Sequence, residues 1–162
     1  MPQDYAARFG AELTRDIDRM LEEIPRVHRD LQAELVGLSI DDLVLRSPVL
    51  TGAYRSAHFV GVGTGDGEAQ KLVYDSPEHA DPAVDYKPGG QPIFQVPDGK
   101  LAEAAYQAEA PFQRAVITND RRYASDLEYG NALIAPRSIY ATAEAVAEAA
   151  SRELADRKVV IR

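Results

Sequence analysis

Three histidines, His28, His58 and His79, are the residues of this sequence best suited to acid–base chemistry. A nucleophile–base pair would need one of them beside a serine or threonine. None lies in a motif that predicts this pairing, since the patterns Gly-x-Ser-x-Gly and His-Glu-x-x-His are both absent. The 26 acidic residues ensure that some carboxylates lie close together, so a carboxylate pair alone indicates no mechanism. We therefore expect no catalytic residues.

A proline-rich loop, residues 75–100, is the other stretch that could support chemistry. Its potential metal ligands are Asp75, Glu78, His79, Asp81 and Asp85. Ligands on an irregular loop have no spacing that fixes a coordination geometry, and acidic residues are common in solvated loops. We expect no metal site and no cofactor, and we keep a small hydrolase or metal-dependent enzyme using this loop as the alternative.

Length and charge limit the class of protein. The 162 residues are most simply one domain, residues 1–162. The formal net charge of −8 and the scattered Lys and Arg residues argue against specific nucleic-acid binding, because affinity for phosphates requires a basic surface. The sequence has no cysteine, no apolar run long enough to cross a bilayer and no signal-like N-terminal region. We expect synthesis in the cytoplasm and no contact with a membrane.

The N-terminal region, residues 1–46, has the periodicity of a helix from Asp4 to about Val44. Pro25 should kink or break this helix, because it lacks an N–H group and clashes with the preceding turn. The pattern predicts a core-facing pair of helices, with a coiled-coil or partner-docking face as the alternative. The apolar residues at three- and four-residue steps are Tyr5, Phe9, Leu13, Ile17, Met20, Leu21, Ile24, Val27, Leu31, Leu35 and Leu38.

The centre of the chain has the alternation of strands. His58, Val60 and Val62 point to one face of a strand, a glycine-rich tip follows, and Lys71–Tyr74 is the returning strand of a hairpin. The loop 75–100 comes next and could hold a short strand at Ile93–Val96.

The C-terminal half adds helices and one more strand. Asp98 should cap a helix from about Gly99 to Gln107, and residues 112–118 form a strand. Pro136 fits the first position of the last helix, and a terminal strand is expected at residues 159–161. The apolar stripe of that helix is Ile139, Ala143, Val146, Ala147, Ala150 and Leu154. We predict an α+β fold: a small antiparallel sheet packed against a long N-terminal helical region and a C-terminal helix, with a long proline-rich loop.

Two local patterns stand out when taken together. The first block, residues 47–59, reads SPVLTGAYRSAHF, and the second block, residues 118–136, reads TNDRRYASDLEYGNALIAP. In this order they resemble the tail-completion and head–tail joining (neck) proteins of long-tailed bacteriophages. The matching positions are Pro48, Val49, Thr51, Gly52, Arg55 and Ser56, then Asn119, Tyr123, Ala124, Leu127, Glu128, Gly130, Ala135 and Pro136. Tyr54 departs from the family pattern, where leucine is common, and the segment between the blocks is longer and richer in proline.

The resemblance implies a structural virion protein without enzymatic activity. Such proteins form rings, often sixfold, in the neck or at the tail end, and leave a channel through which DNA passes without specific binding. The implied partners are copies of the chain itself and other connector, neck or tail-tube proteins. The second block can either pack beneath the C-terminal helix or form a subunit contact. The residues expected at the subunit interface are Thr51, Gly52, Arg55, Asn119, Tyr123, Leu127, Glu128, Tyr129, Gly130 and Pro136. A monomeric bacterial binding module is the third possibility.

Overall fold

The computed structural model describes residues 2–48, 53–63, 71–75, 96–133 and 135–158. The fold is α+β, as the sequence predicts. The expected terminal strand, and the expected strand at 93–96 except for its last residue, lie outside these ranges. In chain order the elements are α1 (Pro2–Arg46), β1 (His58–Gly63), β2 (Lys71–Tyr74), α2 (Gly99–Gln107), β3 (Arg114–Asn119), α3 (Ala124–Tyr129) and α4 (Ile139–Lys158).

Helix α1 is 45 residues long and continues through Pro25, so the predicted break is wrong. Proline leaves the carbonyl of the residue four positions earlier without its helical donor, and here that residue is Leu21. Leu21 lies on an exposed part of the helix, where water can bind the free carbonyl. The chain can therefore keep its helical course at a modest cost.

The two ends of α1 differ in burial. The C-terminal part packs into the core through Ala33, Val36, Ile40, Leu43 and Val44. The apolar residues before Pro25 do not face the core as expected, because the described side chains from residue 8 to residue 24 are all exposed. The residues of α1 that pack into the core thus lie nearer its C-terminus, and on a different face of the helix, than the stripe that the sequence suggests.

The sheet has three antiparallel strands in the order β2-β1-β3. The predicted hairpin of β1 and β2 is confirmed, with a shift of register between Val60 and Gly61. On its other edge, β1 pairs with β3 from His58 opposite Asn119 to Gly63 opposite Arg114. Val60 and Val62 point into the core, where they meet α1 and α2.

Helix α2 crosses α1 at very short range. It begins as predicted, because the Asp98 carboxylate accepts hydrogen bonds from the backbone N–H groups of Lys100 and Leu101. At the crossing, an added Cβ at Gly37 would lie 2.8 Å from the carbonyl oxygen of Gly99, and one at Gly99 would clash with the carbonyl oxygen of Gly37. Glycine is therefore required on both helices at this point.

Helix α4 begins at Ile139, three residues after the expected start at Pro136. The backbone before it is held against α3 instead, where Arg137 N donates to Leu127 O at 2.8 Å and Ser138 N donates to Glu128 O at 3.2 Å. Ser138 also has a positive φ of 48°, which is incompatible with a right-handed helix. Tertiary hydrogen bonds thus override the preference of proline for the first helical turn.

Candidate functional site

The two sequence blocks meet in space and bind each other. Asn119 is the last residue of β3, and its side-chain amide donates to the carbonyl oxygen of Tyr54 at 2.8 Å. Arg121 is buried, and its Nε donates to the carbonyl oxygen of Ala53 at 3.2 Å. The Asn119 side chain also accepts from the backbone N–H of Arg121 at 3.1 Å, which shapes the turn after the strand. The second block therefore holds the backbone of the first.

A small aromatic and aliphatic cluster fills the space between the blocks. The rings of Tyr54 and Tyr123 lie 6.2 Å apart between centroids, within the range of favourable aromatic pairs. Leu43 from α1 with Ile139 and Ala143 from α4 complete the buried part of this cluster, and Leu127 of α3 packs against it. Burial raises the pKa of Tyr54 well above its usual range, so its hydroxyl stays protonated.

A chain of hydrogen bonds centred on His58 joins three elements. His58 Nε2 lies 2.8 Å from Ser47 Oγ at the end of α1, and His58 Nδ1 lies 2.9 Å from the hydroxyl of Tyr140 on α4. Ser47 Oγ donates its own proton to the carbonyl oxygen of Leu43 at 2.6 Å. The neutral tautomer that agrees with this bond carries its proton on Nε2 of His58, and its Nδ1 then accepts from Tyr140. Burial lowers the pKa of His58 to about 4, which keeps this neutral form at neutral pH.

This arrangement does not activate Ser47 as a nucleophile. A general base must take the serine proton with an unprotonated nitrogen, whereas His58 donates to Ser47 from Nε2. The serine proton is bound to a helix carbonyl, and both side chains are almost fully buried. The Ser47–His58–Tyr140 chain fastens the end of α1, the start of β1 and the start of α4 to one another.

Glu128 of the second block caps helix α4 from a distance. Its two carboxylate oxygens accept hydrogen bonds from the backbone N–H groups of Tyr140, at 2.9 Å, and Ala141, at 3.0 Å. These are two of the N–H groups that a helix start leaves without a partner, and a negative charge is favourable at this position. The region in which the two blocks meet the end of α1 and the start of α4 is called the junction. Glu128 is itself buried, so this carboxylate is an internal part of the junction.

The segment between α3 and α4 forms a protruding loop. Gly130 ends α3 with a positive φ of 77°, a conformation that favours glycine. Beyond it, Leu133 is 95% exposed, and Tyr129 at the base of the loop is 79% exposed. The loop borders a shallow, open concavity that extends to Pro136. Two large apolar side chains thus project from an otherwise well-anchored junction.

The residues expected at a subunit interface divide into three groups. Thr51 and Gly52 lie outside the described residues. The interior or partly buried members are Arg55, Asn119, Tyr123, Leu127, Glu128 and Gly130, and the exposed members are Tyr129 and Pro136. The packing of the second block beneath α4 is therefore observed, while its role as a subunit contact stays a prediction. The residues expected at the interface do not include Ser47 and His58 of the first block, Arg121 and Leu133 of the second block, or Tyr140 of α4.

The candidate metal ligands of the proline-rich loop lie mostly outside the described residues. Of these residues only Asp75 is described, and it is exposed; Glu78, His79, Asp81 and Asp85 lie outside the described ranges. Within those ranges, no group of three or more His, Asp or Glu side chains is arranged to hold a metal ion. Among the described helices, none combines the length and apolar character needed to cross a lipid bilayer.

Comparison with models of known protein families, with curated proteins and with solved structures finds no match to this chain.

Proposed function

We propose that this chain is a structural protein of the head–tail connector (neck) or tail end of a tailed bacteriophage, where it joins tail to head without catalysis. The observation that supports the proposal is the direct contact between the two blocks that carry the resemblance. Asn119 and Arg121 bind the backbone of Ala53 and Tyr54, so two distant stretches of sequence form one structural unit. A resemblance confined to unconnected surface segments would carry less weight.

The internal bonding of this unit suits a rigid building block. The junction fixes β1, β3, α3 and α4 relative to α1 through buried polar contacts, including the carboxylate cap from Glu128. Buried polar groups that are hydrogen-bonded, as the side chains of Glu128 and His58 are, favour one arrangement over alternatives, because each misplacement leaves a polar atom without a partner. A ring subunit must present its contact surfaces at fixed angles, so rigidity of this kind fits the role.

A head-to-tail ring also needs two different and complementary surfaces on each subunit. The loop that carries Tyr129 and Leu133 is a protruding apolar surface. A groove between α1 and α4 is a recessed apolar surface, lined in part by Leu38, Leu45 and Val146, all three of them exposed. We place the ring contact between the loop of one copy and the groove of the next. The net charge of −8 suits a channel that lets DNA slide, since a basic lining would hold the phosphates.

Deletion of the gene from the phage tests the proposal. Electron microscopy of the lysate should show separate heads and tails, and expression of the wild-type chain in the host should restore joined particles. Infectious, joined particles in the absence of the chain would overturn the assignment.

A variant pair tests the proposed contact within the same assay. Leu133→Asp places a charge on the protruding loop and should abolish the restoration of joined particles. Leu101→Asp makes the same change at an exposed leucine of α2, outside both proposed surfaces, and should restore them as the wild type does. Equal restoration by the two variants would exclude the loop from the contact.

A further inference from the structure

The N-terminal part of α1 is an exposed helix with an apolar face. From residue 8 to residue 24, every described side chain is exposed. Six large apolar residues in this stretch are between 43% and 65% exposed. They are Phe9, Leu13, Ile17, Met20, Leu21 and Ile24. Most of the stability of helices in proteins comes from the packing of an apolar face, and this face of α1 has no packing partner among the described residues.

The spacing of these residues is that of a coiled-coil seam. Leu13, Ile17, Met20 and Ile24 are separated by four, three and four residues, which places Ile at the a positions and Leu or Met at the d positions of a heptad. Phe9 and Leu21 occupy the flanking g and e positions and widen the apolar face. Among parallel coiled coils, β-branched residues at a with Leu at d favour two strands. We take Met20 to pack as the flexible equivalent of leucine at its d position.

The charges beside the seam determine the direction of pairing. The g positions after Phe9 carry acids, Asp16, Glu23 and Asp30, while the e positions 14, 21 and 28 carry Thr, Leu and His. In an antiparallel pair, the g positions of the two helices face each other, so acid would oppose acid. In a parallel pair, each g residue faces an e residue of the partner, so Asp16 faces Leu21 and no like charges are opposed along the exposed part of the helix.

We propose that the N-terminal part of α1 pairs with the same segment of a second copy of this chain, in a parallel two-stranded coiled coil. The seam consists of Leu13, Ile17, Met20 and Ile24, with Phe9 and Leu21 covering its sides. The contact is isologous, unlike the head-to-tail contact of a ring, and it uses neither the loop nor the groove described above. It therefore stands whether or not the chain belongs to a virion.

The mass of the full-length chain in solution tests the pairing. Size-exclusion chromatography with light scattering should give about 35 kDa, twice the 17.7 kDa of the chain. The double variant Ile17→Lys/Ile24→Lys places like charges in the seam and should be monomeric where the wild type is dimeric. The control Asp18→Asn/Glu22→Gln changes the net charge by the same two units on the outward face and should remain dimeric. Since these residues are exposed and lie before the part of α1 that enters the core, both variants should remain folded. The unfolding temperature should rise with protein concentration for the wild type and the control, and should be independent of concentration for the monomeric Lys variant.

Cross-linking tests the direction. The chain has no cysteine, so Leu13→Cys introduces a single thiol at a seam position that meets its own copy only in a parallel, in-register pair. It should form a disulfide-linked dimer on mild oxidation, whereas Arg15→Cys on the outward face should not. A monomeric wild type, a Lys variant that remains dimeric, or equal cross-linking of the two cysteine variants would each overturn the proposal.

Discussion

Replacement of Glu128 by alanine should destabilise the protein substantially, because this one side chain caps helix α4. Its carboxylate accepts hydrogen bonds from Tyr140 N and Ala141 N at 2.9 and 3.0 Å. Loss of a capping side chain costs about 1 kcal/mol, and a charge at a partly buried helix end contributes up to ~2 kcal/mol. Removal of the buried carboxylate also removes the cost of its desolvation. We expect Glu128→Ala to lower the free energy of unfolding by about 2 kcal/mol.

Glu128→Gln separates the hydrogen bonds from the charge. Glutamine keeps one carbonyl oxygen, which can accept from one of the two N–H groups, but its NH₂ group would face the other donor. The expected loss lies between that of the alanine variant and zero, at about 1 kcal/mol. The order alanine below glutamine below wild type is thus a sharper test than either value alone.

Urea unfolding followed by circular dichroism measures these differences, and Glu148→Ala is the matched control. Glu148 lies on the surface of α4 and pairs with Arg152 at 2.6 Å, and both of these side chains are exposed. An exposed pair of this kind contributes at most about 0.5 kcal/mol. If Glu128→Ala costs no more than Glu148→Ala, the capping role assigned to Glu128 is wrong.

Three further perturbations test other parts of the fold. The folded protein holds the pKa of His58 at about 4, below its ordinary 6.5, so the unfolded chain binds more protons between these values. The free energy of unfolding therefore falls as the pH decreases from 6.5 to 4. Urea titrations at a series of pH values should show that His58→Gln loses about 3 kcal/mol less of this free energy than the wild type does, and equal losses would contradict this. Gly37→Ala should lower the unfolding temperature, because its Cβ would meet the backbone of α2 at 2.8 Å, and the free energy of unfolding should fall by about 1 kcal/mol. Gly10→Ala is the control and should not lower the unfolding temperature, because a Cβ at Gly10 meets nothing within 4 Å. Asp98→Ala should cost about 1 kcal/mol in urea unfolding through loss of the α2 cap, and an unchanged midpoint would refute that role.

Local signals in the sequence were sufficient where neighbouring residues decide the structure. Asp98 caps α2 through the residues that follow it directly, and the returning strand Lys71–Tyr74 pairs with its neighbour along the chain. The α+β class follows from such elements, because their type depends on periodicity within a few turns or pleats. These parts of the fold needed no knowledge of distant contacts.

The errors arose where distant residues decide. Pro136 has the signature of a helix start, yet the backbone of Arg137 and Ser138 is bound to α3, and Glu128 supplies the cap from ten or more residues away. Pro25 interrupts no core packing, because the part of α1 around Leu21 is exposed. No pattern in the sequence states either fact.

The contacts within the junction show the same limit. Ser47, His58 and Tyr140 meet across 11 and 82 residues of sequence, and none of them stands in a motif that indicates the contact. The second block has a recognisable pattern, but its role inside the chain depends on where the first block lies. The exposure of the N-terminal part of α1 does not follow from the sequence either, since its apolar stripe has the same period whether it faces a core or a partner.

The central claim, that the chain is a structural component of a phage particle, is tested most directly by locating it in purified particles. Mass spectrometry should detect the chain in virions purified by density gradient, and gold-labelled antibodies against it should mark the neck or the tail end. Its absence from purified virions, with the chain present only in the soluble fraction of the lysate, would contradict the claim.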